Sequence, residues 1–420
     1  MKSISKILKE VSEEIKPEDN YKKEIFSKIS LIIKKINSGS KDFKATLGGS
    51  GAKGTWLKTF DADIFVLFDY SKYKGRGSEL SDILESTLKK KFPKFIRMHG
   101  SRDYFQIKER DYNFEIVPIL RINKASQAEN ITDVSPLHSS WVKKYKKLSG
   151  EIKLTKQFCK AAGVYGAESY IRGFSGYACE ILTIHYNSFI RLLKGAAKWE
   201  IGKIIDVEDF YKGKDLFKIM NTSKLTSPLI VIDPVQKDRN ASAALSREKF
   251  EIFKKCAAEF LKSPSRNFFI EKSMMSEFCR QKSGNKKIII IRVSTLSGKI
   301  DVVGSKLLKS YEFICSELKK NNFKLLNSGW EWDKNGDAYF YFIFSGSSLS
   351  KTYEVTGPPS KMEEHARNFR KKHKKTFIRA GHLVGVERRK YLKPEQFLKY
   401  VLSLEFVRER TSSIGMRLVK

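Results

Sequence analysis

Two aspartates separated by one residue, Asp61 and Asp63, open the run Asp61-Ala62-Asp63-Ile64-Phe65-Val66-Leu67-Phe68. The run begins polar and becomes continuously apolar, as a strand buried on both faces does. Side chains in a strand repeat every second residue, so the two carboxylates point to the same face. Adjacent carboxylates repel, and next to a core they are costly. A bound divalent cation relieves both problems, and Mg²⁺ takes a few carboxylates together with water and phosphate oxygens. Just upstream, Gly48-Gly49-Ser50-Gly51 puts small residues where backbone must come close to something. Its free N–H groups and the Ser50 hydroxyl could cradle a phosphate. A third acid, Glu115, lies inside Phe114-Glu115-Ile116-Val117-Pro118, and an ionisable residue in such a run is seldom buried unless paired or on a metal. Three carboxylates from adjacent strands would hold two metal ions, an arrangement that activates a hydroxyl and stabilises in-line attack on a phosphate. Taken singly, the aspartates also suit strand-end helix caps, and the glycine run suits an ordinary turn.

The surrounding pattern supplies elements to position these groups. Ile4, Ile7, Leu8, Val11 and Ile15, then Ile25, Ile29, Ile32 and Ile33, have helical spacing and predict two amphipathic helices broken at Pro17. Glu79 to Lys91 reads as a helix. Phe95 to Ile107 and Tyr112 to Ile122 read as two strands joined by a polar turn at Lys108-Glu109-Arg110-Asp111. Strands alternating with helices predict an α/β or α+β first domain. Helices follow at Ser139–Leu148, Ile152–Ala162 and Ala178–Lys194, with Gly163 and Gly166 at a helix end. Residues 227–240 predict a short strand ending in an Asp-Pro turn, and Ser246–Lys262 a helix. The last third reads as β-rich: a strand at Lys287–Val293, a helix at Lys306–Asn321, and a hairpin whose arms, Trp330–Trp332 and Ala338–Phe344, flank an Asn335-Gly336 turn. On that hairpin Tyr341, Phe342 and Phe344 read as core.

The chain has 420 residues, 81 Lys and Arg against 47 Asp and Glu, and a formal net charge of +34. Hydrophobic residues make up 41%, enough for packed cores, which excludes wholesale disorder. Such an excess of positive charge repels itself unless a polyanion relieves it, so nucleic acid, an acidic membrane or polyphosphate is the expected partner, with a general lysine bias as the alternative. Residues 361–400 hold 13 Lys and Arg against 4 Asp and Glu. The tract Arg370-Lys371-Lys372-His373-Lys374-Lys375, with Arg388-Arg389-Lys390 after it, fits a phosphate-backbone contact, or else solvated helix faces. Five scattered cysteines without a CxxC pair predict neither a zinc site nor a disulfide framework, and fit reduced thiols in the cytoplasm. No stretch approaches the apolar length of a membrane span, so no membrane is expected, and the Lys- and Glu-mixed N-terminus does not read as a secretory signal.

The run Gly48 to Phe68, GGSGAKGTWLKTFDADIFVLF, resembles the glycine-serine and DxD signature of polymerase-β-type nucleotidyltransferases. More closely, the chain is similar to the archaeal, class I, CCA-adding enzymes. Further blocks in the family's order carry the likeness: His99-Gly100-Ser101, Phe114–Pro118, Thr132–His138, Gly163–Glu168, Arg172-Gly173-Phe174-Ser175-Gly176-Tyr177, and Val231–Val235 with Arg239-Asn240. It covers about residues 1–260 well, and the last third only loosely, through its layout and Gly357-Pro358-Pro359.

This resemblance implies an α+β multidomain fold: a nucleotidyltransferase head, or palm, over 1–140; a helical neck with a nucleotide-recognition segment over 141–262; an α/β-sandwich body over 263–356; and a basic helical tail returning to the body over 357–420. It implies addition of C, C and A to the tRNA 3′ end from CTP and ATP, without a nucleic-acid template, using two Mg²⁺ ions and releasing pyrophosphate. Asp61 and Asp63 match the family's metal pair. Glu115 stands at the third carboxylate position, where the superfamily commonly has Asp. Gly49, Ser50 and Lys53 match the phosphate turn, and Lys156 and Tyr165 the residues that hold the triphosphate. Read alone, that pair suits a surface lysine and a core tyrosine. His138 matches a histidine near the nucleotide, or else is a core histidine. Arg239 matches an arginine that recognises base and RNA phosphates, or else is a solvated turn residue. Arg370, Lys371, Lys372, Lys374, Lys375, Arg388 and Arg389 would grip the acceptor arm. The resemblance also implies a homodimer. Two other readings stand beside it: a poly(A)-type or oligoadenylate-forming nucleotidyltransferase, which should lack RGFSGY with IDPV…RN, and a non-catalytic RNA-binding protein on a degenerate palm.

Overall fold

The computed structural model describes the chain except residues 1–3, 59–61, 110–111, 272–285, 335, 347 and 420, and the side chains of 418–419. Asp61, Cys279 and parts of both expected turns (Arg110-Asp111 and Asn335) lie outside the described residues. The chain forms two compact units, Met1–Glu271 and Lys272–Lys420.

In the first unit, α1 (Ile4–Glu14) and α2 (Asp19–Asn37) precede β1 (Phe43–Leu47), the short α3 (Gly49–Lys53) and β2 (Ala62–Asp69). Then come α4 (Leu80–Lys91), β3 (Ile96–Met98), β4 (Tyr104–Glu109) and β5 (Tyr112–Arg121). The five strands form one sheet in the order β1-β2-β5-β4-β3, in which β2 and β5 run parallel and the other neighbours antiparallel. Ile25, Ile29, Ile32 and Ile36 form one stripe of α2. They pack with Leu80, Leu84 and Leu88 of α4 against Ile64, Val66 and Phe68 of β2 and Phe114, Ile116 and Leu120 of β5. Even-numbered residues of both strands thus face the helices, which leaves Asp63 and Glu115 on the opposite face. The single strand expected over 95–107 is two, because the chain reverses between Met98 and Tyr104 around Gly100.

A second core holds α5 (Ser135–Lys143), α6 (Ser149–Ala161), α7 (Gly176–Tyr186), α8 (Phe189–Ala196) and α9 (Arg247–Lys262), with the short parallel pair β6 (Lys203–Ile205) and β7 (Leu229–Val231). Phe158 sits at its centre, its ring 5.5–6.2 Å from those of Phe189, Phe253, Phe260, Phe268 and Phe269. The expected helix over 178–194 is broken: Asn187 turns left-handed at φ 57°, and Ser188 caps α8 by accepting from Arg191 N. Ile7, Val11 and Ile15 of the N-terminal segment pack in this second core, although sequence order places them in the expected 1–140 head.

In the second unit, β8 (Lys287–Ser294), α10 (Ile300–Lys320), β9 (Leu325–Trp332) and β10 (Ala338–Phe344) are followed by β11 (Thr352–Pro359), α11 (Glu363–Lys372), β12 (Thr376–Arg379) and β13 (His382–Arg388). α12 (Pro394–Ser403) and β14 (Ser413–Val419) complete it. A four-stranded antiparallel sheet, β14-β8-β10-β9, packs Phe340, Phe342 and Phe344 against α10 and α12. A three-stranded sheet, β11-β13-β12, lies against α11. The basic region is therefore mixed rather than wholly helical. The four described cysteines are free, and among the described residues no helix is long and apolar enough to cross a membrane.

Candidate active site

The parallel register of β2 and β5 sets Asp63 directly beside Glu115, and the antiparallel register of β4 and β5 sets Gln106 on Glu115's other side. All three are half-buried. Gln106 Nε2 donates to Glu115 Oε1 at 3.0 Å. The glycine run closes over this face. Gly48 N donates to the Asp63 carbonyl at 2.8 Å. A Cβ on Gly48 would meet the Phe65 ring at 2.4 Å, and one on Gly49, whose φ is +53°, would lie 1.6 Å from Asp63 Oδ2. These two positions therefore need glycine, and Ser50 in α3 follows immediately after Gly49. Among the described residues no group of three or more His, Cys, Asp or Glu could hold a metal ion. The described part of the expected acidic trio is the pair Asp63 and Glu115.

Beside this face lie two ionic networks, the first of which links the loop between β1 and β2 to the helical core. Glu180 on α7 is fully buried. Its Oε1 accepts from Thr55 Oγ1 at 2.6 Å and Lys156 Nζ at 2.7 Å, and its Oε2 accepts from Lys53 Nζ at 2.7 Å. Burial alone would raise the Glu180 pKa; the charges of Lys156 and Lys53 outweigh it and hold the carboxyl below its ordinary range. Burial also pulls Lys156 down, against the opposing pull of Glu180. Lys156 is thus not the surface lysine that the residue alone suggests: α6 aims it inward, with 3% of its side chain exposed.

The second network centres on Asp233. Its Oδ2 meets His138 Nε2 at 3.0 Å and accepts from Arg239 Nη1 at 2.6 Å, and its Oδ1 accepts from the Tyr177 hydroxyl at 3.1 Å. Burial raises the Asp233 pKa, but His138, two backbone N–H groups and Arg239 prevail and bring it to about 2. The His138 ring stacks on Tyr177, centroids 4.1 Å apart, and Lys53 Nζ lies 5.8 Å from the centre of the same Tyr177 ring. Tyr177 therefore joins the networks.

Local sequence explains the placement. Ser175 caps α7 by accepting from Ala178 N. Before it, Phe174 N donates to Val164 O at 2.7 Å and Gly166 N to Phe174 O at 2.8 Å, so Tyr165 is bridged to Phe174. A Cβ on Gly176 would touch the Tyr165 hydroxyl at 2.8 Å and lie 3.7 Å from Lys156 Nζ, which puts Tyr165 beside the lysines. Burial, above all other causes, raises the Tyr165 and Tyr177 pKa values, so both keep their protons. The IDPV…RN block is a self-bonded turn: Asp233 N donates to Arg239 O at 3.0 Å, and Asn240 Oδ1 accepts from Val231 N and Ser242 N.

A nucleotidyltransferase-domain family matches residues 27–133, a tRNA nucleotidyltransferase second-domain family residues 150–270, and a CCA-adding enzyme C-terminal-domain family residues 285–411. The CCA-adding enzyme of Nanoarchaeum equitans is 38% identical, the match covering 79% of this chain and 80% of that one. That of Methanocaldococcus jannaschii is 33% identical, covering 93% and 88%. This chain belongs to the CCA-adding enzyme family. Its backbone also resembles a Cid1 poly(U) polymerase solved with MgATP (TM-score 0.53, 15% identity, 64% of this chain and 99% of that one) and a cytoplasmic RNA terminal U-transferase (TM-score 0.50, 16% identity, 65% and 100%). These two likenesses concern the fold alone.

In this CCA-adding family member, Arg370, Lys371 and Lys372 are exposed at the end of α11, and Lys374 and Lys375 are exposed just after it. Arg388 is exposed at the end of β13. Arg389 is half-buried: its guanidinium lies 4.7 Å from the centre of the Tyr353 ring and its Nη1 donates to Asn321 O at 3.2 Å. Sequence reasoning overlooked Glu180, Thr55, Gln106 and the roles of Tyr177 and Asp233. A signal for Glu180 was present: it is an acid within the apolar run Ala178-Cys179-Glu180-Ile181-Leu182, the same pattern that singled out Glu115.

Proposed function

We propose that this chain builds the CCA end of tRNA, transferring CMP twice and then AMP from CTP and ATP to the tRNA 3′ hydroxyl, with pyrophosphate leaving and no nucleic-acid template. The observation that carries the reading is the side-by-side register of Asp63 and Glu115 under the glycine-serine turn, in a chain whose length is matched by CCA-adding enzymes. The donor set fits a divalent ion: hard carboxylate oxygens on neighbouring strands, under a turn whose glycines let the backbone come close to them. Asp61, Asp63 and Glu115 would hold two Mg²⁺ ions. When bound, these supply Lewis acidity toward the attacking hydroxyl and offset charge on the leaving pyrophosphate.

The chain's own residues do the rest. Ser50 and the N–H groups of the glycine turn bind phosphate oxygens. Lys53 and Lys156 place positive charge beside the triphosphate, and the protonated Tyr165 hydroxyl donates to it. Asp233 fixes the guanidinium of Arg239 and the ring of His138, so a base and the RNA end meet preset donors rather than mobile ones. The exposed cations of α11 and of the segment after it, with Arg388 and Arg389, track the RNA backbone without reading sequence, which suits an enzyme serving every tRNA. The family resemblance adds a homodimer, read by light scattering, and the scattered cysteines fit a cytoplasmic location.

The test is incorporation of labelled CMP and AMP by Asp63→Ala. This variant is expected to lose incorporation by at least about 10³-fold while binding tRNA as the parent does. Parental incorporation would remove the carboxylates from the reaction.

A further inference from the structure

The Glu180 cluster carries an unequal charge. One carboxylate faces two ammonium groups, and all three side chains are largely enclosed: 0% of Glu180, 3% of Lys156 and 11% of Lys53 is exposed. Of the other acids nearby, Glu168, which faces Tyr165, is exposed to solvent, and Asp63 and Glu115 are assigned to the metal, so the enclosed groups do not restore the balance. Asp233 is engaged by His138 and Arg239. Tyr165 and Tyr177 keep their protons, and Cys179 beside Glu180 is a buried thiol. Lys153, on the same helix as Lys156, adds another positive charge. A buried charge without a counter-charge is costly, so the surplus is retained at a stability cost that an anionic ligand would relieve. Lys53, the more exposed of the two, lies between Glu180 and the Tyr177 ring, on the side of the second network.

We propose that Glu180 is a positioning residue: it holds Lys53 and Lys156 protonated side by side, and leaves one positive charge for the polyphosphate of the incoming nucleoside triphosphate. This rests on the reading that the two lysines face the triphosphate. Thr55 completes the clamp, its hydroxyl donating to Glu180 Oε1 and accepting from Lys156 Nζ at 3.0 Å. Without the carboxylate, two enclosed ammonium groups face each other and one sheds its proton. Nucleotide binding must then restore that proton.

The experiment is calorimetric titration of CTP into the full chain between pH 7.5 and 9, in buffers of different ionisation heat. The parent's Kd is expected to vary by less than about threefold, with little proton uptake. For Glu180→Gln the Kd is expected to rise by up to about tenfold per pH unit, with uptake approaching one proton per CTP. The double variant Glu180→Gln/Lys53→Met, which restores the charge count, is expected to lose that slope. A merely structural role would lower the melting temperature and create no slope. Lys53→Met alone leaves a neutral, foldable pair and is expected to weaken CTP about tenfold at every pH; if Glu180→Gln does not fold, parental affinity in Lys53→Met overturns the surplus-charge claim. If Lys53→Met and Lys156→Met both bind CTP as the parent does, the assignment of the lysines to the triphosphate fails as well. If they weaken binding while folded Glu180→Gln shows no new pH slope, the Glu180 inference alone is overturned.

Discussion

Asp233 shows how much one buried side chain organises. It joins His138, Tyr177 and Arg239 and accepts from Val235 N and Gln236 N, and it is itself fully buried. Its folded pKa of about 2 lies below the ordinary value near 3.9. It therefore contributes stability that is complete above about pH 4 and is lost as pH falls toward 2, of order 2 kcal/mol. Asp233→Asn is expected to unfold at lower urea than the parent at pH 7, with the gap narrowing between pH 4 and pH 2; a gap independent of pH would contradict the linkage. The residue scale is also where the sequence was most and least informative. Glu115 stood out because an acid interrupts an apolar run, and β5 places it beside Asp63. Glu180 met the same criterion and was overlooked, because its partners Lys53 and Lys156 are 127 and 24 residues away and nothing local shows a salt bridge of that span.

Among the elements, the register of β2 against β5 and the seating of α3 on β2 matter most. Period-two patterning in the sequence sets which face of β2 carries Asp63, but the partner strand and its register come from long-range packing that no local pattern encodes. The glycine run was legible as a close approach, but what it approaches was not: Gly48 meets Phe65 and Gly49 meets Asp63, both on the next strand. Gly49→Ala must therefore displace either α3 or the carboxylate, since a backbone at φ +53° with a 1.6 Å contact has no local relief. Incorporation is expected to fall by at least about 100-fold, with far-ultraviolet dichroism unchanged; parental activity would show that α3 does not need this seating. Two boundaries escaped the sequence for a different reason. The split of the 95–107 strand falls on His99-Gly100-Ser101-Arg102-Asp103 and the break of the 178–194 helix on Asn187-Ser188, short polar stretches that window-scale periodicity averages away.

Across the whole molecule, charge was legible early. A net charge of +34 predicted a polyanion partner, and Arg370, Lys371, Lys372, Lys374 and Lys375 are all exposed and, among the described residues, form no ion pair. The chain returns through β14 to the four-stranded sheet, and the three-stranded sheet after residue 352 was not visible in so polar a stretch. If these lysines track phosphates, Lys371→Gln/Lys374→Gln is expected to weaken tRNA binding at low salt and to reduce the slope of log K against log salt by about two; an unchanged slope would place the contact elsewhere. The central claim is the identity and order of the nucleotides added, and it is tested most directly with a tRNA lacking its CCA end. With labelled CTP alone the account predicts growth by two C residues and then arrest, and with ATP supplied afterwards, growth by a single A. Continued extension by either nucleotide, or addition of A without prior C, would contradict it.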